Sequence, residues 1–183
     1  MKVLRTELPG VLVAETTAFV DQRGAFSRWF CEEELDEVMG QRRIAQINYS
    51  RTTRLGALRG FHYQHAPHDE MKLIRCLRGR VFDVAVDLRR GSSTFLRWYA
   101  EELTPTNARM LVIPEGCAHG FQALEAESEL LYLHTALYAP EAEGGVRFDE
   151  ARIAVPWPLP VVDLSQRDRS FPVLDADFSG VPL

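Results

Sequence analysis

An all-β sandwich or barrel with a few short helices is the fold class this sequence predicts, and three observations carry it. Apolar segments of strand length recur along most of the chain, several with period-two alternation. Turn signals separate them at intervals of about 8–12 residues. Only one segment has helical periodicity. No internal repeat or low-complexity linker interrupts the 183 residues, so residues 1–183 read as a single domain. A jelly roll suits this length and can enclose one ligand between its sheets, with ligand-facing side chains alternating with core ones along each strand.

The elements follow in order. Val11–Ala14 and Phe26–Phe30 are the first expected strands. Glu32–Met39 reads as a helix, with Leu35, Val38 and Met39 apolar and Gly40 as its stop. Lys72–Leu77 comes next. Val81–Leu88 is the clearest strand: Phe82, Val84, Val86 and Leu88 share one face, and Val81, Asp83, Ala85 and Asp87 the other. Phe95–Leu103, Met110–Ile113, His119–Ala123 and Glu129–Leu137 complete the set. Arg78-Gly79, Arg90-Gly91 and Pro114–Gly116 supply turns. Beyond about Ala139 the chain is rich in Pro and Asp and reads as irregular or weakly helical.

Composition excludes several function classes. The chain is 46% hydrophobic and 26% charged, ordinary for a globular protein. A net charge of −5 offers no basic field for nucleic acid or an anionic membrane. An anionic small molecule therefore needs a local cluster of Arg and Lys. The segment Met1–Glu7 has no apolar signal core, and no apolar run approaches the ~20 residues of a membrane span. Cys31, Cys76 and Cys117 are odd in number and far apart, which favours reduced thiols and a cytoplasmic location.

Three segments carry polar residues ill suited to filling strands: Leu58-Arg-Gly-Phe-His-Tyr-Gln64, Glu70-Met-Lys-Leu73 and Ile113-Pro-Glu-Gly-Cys-Ala-His-Gly120. Tyr132, Tyr138 and Asp168 stand beyond them. Singly, each has a plain structural explanation. A strand His is usually a surface or satisfied core residue, a strand Lys snorkels, a strand Tyr is core with its hydroxyl at a rim, and Asp168 suits a cap or turn.

Together they resemble a family. Asp21-Gln-Arg-Gly-Ala-Phe26, Gln46-Ile-Asn-Tyr-Ser50, Leu58–Gln64, Lys72-Leu73, Gly79–Arg89, Ser92–Phe95, Ile113–Phe121, the Tyr132…Tyr138 pair, Trp157-Pro158 and Leu164–Asp168 occur in the order and form typical of the dTDP-4-dehydrorhamnose 3,5-epimerases. The likeness runs from about residue 10 to 170. It implies a cupin jelly-roll β-sandwich, a homodimer, no cofactor or metal, and a role in rhamnose-like deoxysugar biosynthesis. The implied substrate is a nucleotide-diphosphate 4-keto-6-deoxy sugar. By resemblance His62 is the base, Asp168 stands behind it, Lys72 holds the enolate and Tyr132 is the acid on the far face. His119 and Tyr138 line the sugar pocket. Arg59 and Arg23 match residues used on the diphosphate. Gln46, Asn48 and Phe26 match residues around the nucleoside, with Arg23 and Phe26 reaching in from a partner subunit.

The chemistry fits those residue types independently. Inverting a carbon beside a ketone needs a base for the α-proton, a donor for the enolate oxygen and an acid on the opposite face. Histidine is the base suited to neutral pH, a buried Asp fixes its tautomer, and a Lys ammonium meets the developing oxyanion. Three departures from the family pattern fall near the pocket rim: Arg28 where Glu is common, Glu70 in place of Gln, and Leu133 in place of Lys. One extra residue lies between Asn48 and His62.

Three rival readings remain open at this point. His62, Gln64, Glu70 and His119 form a degenerate version of the metal-binding cupin pattern, although Gln64 is a poor ligand and Lys72 would repel a cation. The chain could bind a sugar nucleotide without chemistry. It could also invert C3 alone.

Overall fold

The computed structural model describes residues 1–183. Along the chain run β1 (Lys2–Arg5), β2 (Leu12–Glu15), β3 (Phe19–Asp21), β4 (Gly24–Phe26), α1 (Asp36–Met39), β5 (Gln46–Thr52), β6 (Leu58–Gln64), β7 (Lys72–Arg78), β8 (Val81–Asp87), β9 (Trp98–Leu103), β10 (Arg109–Ile113), β11 (Cys117–Ala123), β12 (Ser128–His134), β13 (Glu143–Gly145) and α2 (Gln166–Ser170). A six-stranded sheet has the order β1-β2-β10-β7-β12-β5, and a five-stranded sheet the order β13-β6-β11-β8-β9. β3 and β4 form a separate hairpin. Every pairing between these strands is antiparallel. This is the jelly-roll β-sandwich that the sequence predicts.

Strand alternation produces three apolar layers. Between the sheets lie Val13, Ile74, Cys76, Val81, Ala85, Leu111, Ile113, Phe121 and Leu130. The outer face of the five-stranded sheet presents Phe61, Val84, Val86, Leu88 and Ala118, covered by the C-terminal segment through Ile153, Val155, Trp157 and Val181. The outer face of the six-stranded sheet presents Leu73, Met110, Val112 and Leu133, covered by Leu35 and Met39 around α1. Val81–Leu88 therefore behaves as its alternation predicts, with both faces buried. Each large apolar side chain so enclosed contributes roughly 1.5–3 kcal/mol.

Several boundaries differ from expectation. Only Phe26 of the expected strand Phe26–Phe30 is in a strand, and residues 27–30 carry no regular structure. The helix shrinks to Asp36–Met39. Leu35 supplies no capping side chain, and the carboxylates ahead of it are drawn elsewhere, Glu32 to Arg43 and Glu34 to Arg28 and the amino terminus. The expected Phe95 start moves to Trp98, because Arg97 N–H bonds Thr94 C=O in a turn and Leu96 has φ +63°. β12 ends at His134 rather than Leu137. β1 and β5 are strands without an alternating apolar pattern, and β5 is an edge strand with Ile47 and Tyr49 exposed. The polar segment Leu58–Gln64 is itself a strand, β6.

The three cysteines are unpaired, with Cys76 and Cys117 buried. No helix is long and apolar enough to cross a membrane.

Candidate active site

The space between the sheets is filled by core at one end and opens into a polar cavity of about 270 Å³ at the other. Its walls follow from strand parity. Lys72 shares the inward face of β7 with Ile74, and Tyr132 and His134 share that of β12 with Leu130. On the opposite sheet His119 shares the inward face of β11 with Phe121.

β6 needs more explanation, since Arg59 and His62 differ by an odd number and on a regular strand would face opposite ways. The β6–β11 register pairs His119 with His62 and Phe121 with Arg59, so it slips between them. That irregularity brings both side chains to the cavity. Gly60 makes it sterically feasible. Its φ is +124°, and a Cβ there would stand 2.5 Å from the Cα of Gly120. Its N–H is then free to donate to Asp168 Oδ2 at 3.2 Å. The Leu-Arg-Gly-Phe-His motif is thus a structural device as well as a carrier of side chains.

Asp168 arrives on α2, whose N-cap Ser165 accepts the Asp168 N–H at 3.0 Å. Its buried carboxylate meets His62 Nε2 across 2.7 Å. Burial alone would raise the Asp168 carboxyl. The His62 contact, with the Gly60 N–H and Ser165, instead holds it at about 2. Burial depresses the His62 pKa below 6.5, outweighing the opposing pull of Asp168. At neutral pH the pair is therefore a neutral imidazole beside a carboxylate. Nε2 carries the proton and donates it to Asp168, leaving the lone pair on Nδ1. Arg167 Nη2 stands 2.9 Å from the same Nε2 while its Nη1 donates to Glu143 at 2.8 Å. That cation further disfavours the imidazolium. The Phe171 ring meets His62 edge-on at 5.9 Å.

The other wall carries the remaining groups. Lys72 Nζ donates to the His62 carbonyl at 3.2 Å and lies 3.3 Å from Glu70 Oε1. Tyr132 Oη is 3.0 Å from Ser50 Oγ, and burial pushes its phenol well up, so it stays protonated. His119 Nε2 is 2.7 Å from Asp83 Oδ1, a fully buried carboxyl raised by desolvation. Arg59 donates to Thr52 Oγ1 and the Arg51 carbonyl, both at 3.2 Å. Arg59, His62 and Arg167 also line an adjoining cleft of about 380 Å³ with Arg51 and Ser165. This is a cationic annex to the polar cavity.

Of the residues singled out in the sequence, His62, Lys72, His119, Tyr132, Arg59, Asn48 and Tyr138 line the cavity. Asp168 stands behind His62. Gln46 sits at the rim, its Oε1 accepting the Tyr138 N–H at 2.9 Å. Arg23 and Phe26 are not brought there within one chain: they lie on the exposed β3–β4 hairpin, Arg23 paired with Asp21 at 2.6 Å. Sequence reasoning missed His134, Ser50, Glu143 and Arg167. His134 was findable, two residues after Tyr132 on an alternating strand. Glu143 and Arg167 sit in the irregular C-terminal part, where no periodicity marks them.

The metal-cupin alternative loses its donors. Gln64 spends its amide on the His68 and Leu137 carbonyls and the Ala139 N–H. Glu70 is taken by Lys72 and His134, and His119 by Asp83. No group of three or more His, Cys, Asp or Glu side chains is arranged to hold a metal ion.

Comparison with known proteins agrees with this geometry. A family profile described as dTDP-4-dehydrorhamnose 3,5-epimerase matches residues 5–176. The Shigella flexneri dTDP-4-dehydrorhamnose 3,5-epimerase is 41% identical over 180 residues, covering 97% of this chain and 99% of that protein. The dTDP-6-deoxy-D-glucose-3,5-epimerase of Legionella pneumophila, solved with dTDP-4-keto-L-rhamnose, superposes with a TM-score of 0.91 at 36% identity, covering 99% and 97% of the two chains. ChmJ, a 3'-monoepimerase from Streptomyces bikiniensis, superposes with a TM-score of 0.86 at 31% identity, covering 93% and 86%.

Proposed function

This chain belongs to the dTDP-4-dehydrorhamnose 3,5-epimerase family, and from that premise we propose how its cavity works. It is a cofactor-independent epimerase of a nucleotide-diphosphate 4-keto-6-deoxy sugar of the dTDP-4-dehydro-6-deoxyglucose kind. It inverts the carbons flanking the ketone, C3 and C5. The observation that carries this reading is the opposition of two proton-transfer groups. His62, backed by Asp168 on α2, belongs to the five-stranded sheet, and Tyr132 to the six-stranded sheet facing it. A sugar ring between them meets a base on one face and an acid on the other.

His62 Nδ1 removes the α-proton, and the charge that develops on imidazolium is met by the Asp168 carboxylate. The ketone oxygen, becoming an enolate, takes the Lys72 ammonium; losing such a donor typically costs on the order of 100- to 1000-fold. Tyr132 Oη returns a proton to the opposite face, and Ser50 is the neighbour that stabilises the phenolate left behind. His119, held by Asp83, and Tyr138 flank the sugar. Arg59 takes the diphosphate, for which a planar guanidinium is suited. Gln46 and Asn48 lie along the nucleoside.

In this reading the enzyme is a single-domain homodimer, in which Arg23 and Phe26 of the partner subunit close the nucleotide end. The exposed Phe19, Val20 and Phe26 of the hairpin support it, as apolar surface that a second copy would cover. Its three free thiols suit the cytoplasm. Neither nucleic acid nor membrane is a partner.

Incubation with dTDP-4-keto-6-deoxyglucose in D2O tests the reading. Deuterium is expected at C3 and C5, with an epimerised product. Deuterium at C3 alone would assign the outcome of a 3-only epimerase, and no exchange at either carbon would reduce the chain to a binder.

A further inference from the structure

Beside Lys72 the cavity holds a third carboxylate–imidazole pair, one that the mechanism does not use. Glu70 stands where the family pattern has Gln. One of its oxygens lies 3.3 Å from Lys72 Nζ and the other 2.7 Å from His134 Nδ1. His134 Nε2 in turn lies 3.3 Å from the side-chain amide nitrogen of Asn48. His134 is opposite Lys72 across β7 and opposite Gln46 across β5, so its ring spans the wall between the sugar and nucleoside ends. The Tyr132 ring stacks on it at 6.1 Å. The three side chains Glu70, Lys72 and His134 are only 7%, 9% and 11% exposed.

We propose that Glu70 and His134 fix the polarity of a hydrogen-bond relay ending on Asn48, so that Asn48 presents its carbonyl oxygen to the ligand. An ionised carboxylate only accepts, and two donors converge on Glu70, so His134 Nδ1 carries a proton. In the relay proposed here the lone pair lies on Nε2, and the Asn48 NH2, 3.3 Å away, donates to it. The Oδ1 of Asn48 is the group left for the cavity. It selects a ligand that offers an N–H at that point, such as an imide-type base of the thymine or uracil class, over one that offers a bare ring nitrogen, such as cytosine. This deepens the nucleotide-sugar reading above and rests on its placement of the nucleoside along Asn48. His134 and Glu70 are positioning residues that act through Asn48.

Calorimetric titration of TDP and the deoxyribose form of CDP tests the consequence, because the shared deoxyribose and diphosphate cancel in the ratio of their dissociation constants. Wild type is expected to favour TDP by roughly 10-fold, the value of one complementary hydrogen bond replaced by two opposed acceptors. Glu70→Gln gives one acceptor for two donors, pushes the His134 proton to Nε2 and reverses Asn48. His134→Phe releases Asn48 altogether. Each is expected to reduce the ratio at least about 3-fold while far-ultraviolet dichroism stays that of the wild type. An unchanged ratio in both folded variants would overturn the proposal. A measurement on wild type alone guards against misfolded variants: the ring ¹⁵N shifts of His134 should report a protonated Nδ1 and a bare Nε2, and a protonated Nε2, in the opposite tautomer or in an imidazolium, would refute the relay. Wild type that binds neither nucleotide would overturn the nucleotide-sugar reading and the ligand named here, whereas the tautomer still tests the relay by itself.

Discussion

Replacing Asp168 by Asn changes one atom and should disable the base without disturbing the wall behind it. The carboxylate offers two acceptors to two donors, His62 Nε2 at 2.7 Å and the Gly60 N–H at 3.2 Å. An amide offers one. If its oxygen serves Gly60, its NH2 faces His62 Nε2, which must then accept; the ring proton moves to Nδ1, the atom that should take the substrate proton. Loss of the working tautomer in this way typically costs about 10⁴-fold in rate. If the oxygen serves His62 instead, the NH2 opposes the Gly60 N–H, costing about 1–3 kcal/mol of stability. The imidazolium still loses its counter-charge. Lowering the Asp168 carboxyl from 3.8 to about 2 corresponds to roughly 2 kcal/mol in favour of the charged form. The assay is proton NMR of the ketosugar nucleotide in D2O, following loss of the C3 and C5 proton signals, with circular dichroism to confirm folding. A folded Asp168→Asn protein exchanging within about 10-fold of wild type would refute the assignment of this pair.

Other outcomes follow from the same geometry. Tyr132→Phe should suppress net inversion more than solvent exchange, since His62 still removes a proton and returns it to the same face; equal loss of both in the D2O experiment would place the acid elsewhere. Arg59→Ala should raise KM about 10-fold or more with kcat little changed, because a charge-assisted contact contributes about 1.5–3 kcal/mol; unchanged affinity in a nucleotide titration would put the diphosphate outside the Arg59–Arg167 cleft. The acid limb of kcat/KM should have its midpoint below 6.5, because burial depresses the His62 pKa and the base stays unprotonated to lower pH; a midpoint above 6.5 would contradict it. Stability should also fall in acid. The Asp168 contribution, complete above its unfolded value of 3.8, is lost as pH drops through about 2, and chemical denaturation at pH 2 against pH 5 measures it.

The fold was legible where side chains alternate in hydrophobicity. Val81–Leu88 shows its two buried faces directly in the sequence, and β7, β10, β11 and β12 are nearly as plain. β5 was not, because an edge strand with one face at a cavity and the other exposed has no apolar alternation to show. The helix and the β9 start were overread for the opposite reason: apolar spacing continued through residues whose polar neighbours form turns and ion pairs. In the site, His62, Lys72 and Tyr132 were reachable as motif residues, but their meeting in one cavity depends on pairing between strands distant in sequence. The slip at Gly60, which allows Arg59 and His62 to share a face, is invisible to a period-two reading. Arg167 and Glu143 come from a segment whose placement is set by the N-cap at Ser165 and by β13 pairing with β6, neither of which hydrophobic patterning encodes.

In the proposed mechanism the opposed ionisation tendencies of the two walls give the site its direction. A proton-transfer pair working at one pH needs its base unprotonated and its acid protonated together. Burial achieves both, because it penalises charge whatever its sign: it lowers the His62 imidazole and raises the Tyr132 phenol. Both groups therefore rest neutral in the same cavity, one able to accept and the other able to donate. What burial cannot provide is tolerance of the charges formed during the reaction, and the surrounding residues address that. In the proposed mechanism Asp168 stands ionised behind the imidazolium, Lys72 would meet the enolate, and Ser50, 3.0 Å from Tyr132 Oη, would bond the phenolate. Each neighbour complements a charge that exists only after a proton has moved, which is the condition for stabilising the transition state rather than the resting site. The hydrogen bond from His62 to Asp168 also sets which ring nitrogen is free, so in this mechanism the proton-accepting atom is chosen by a buried residue behind the ring.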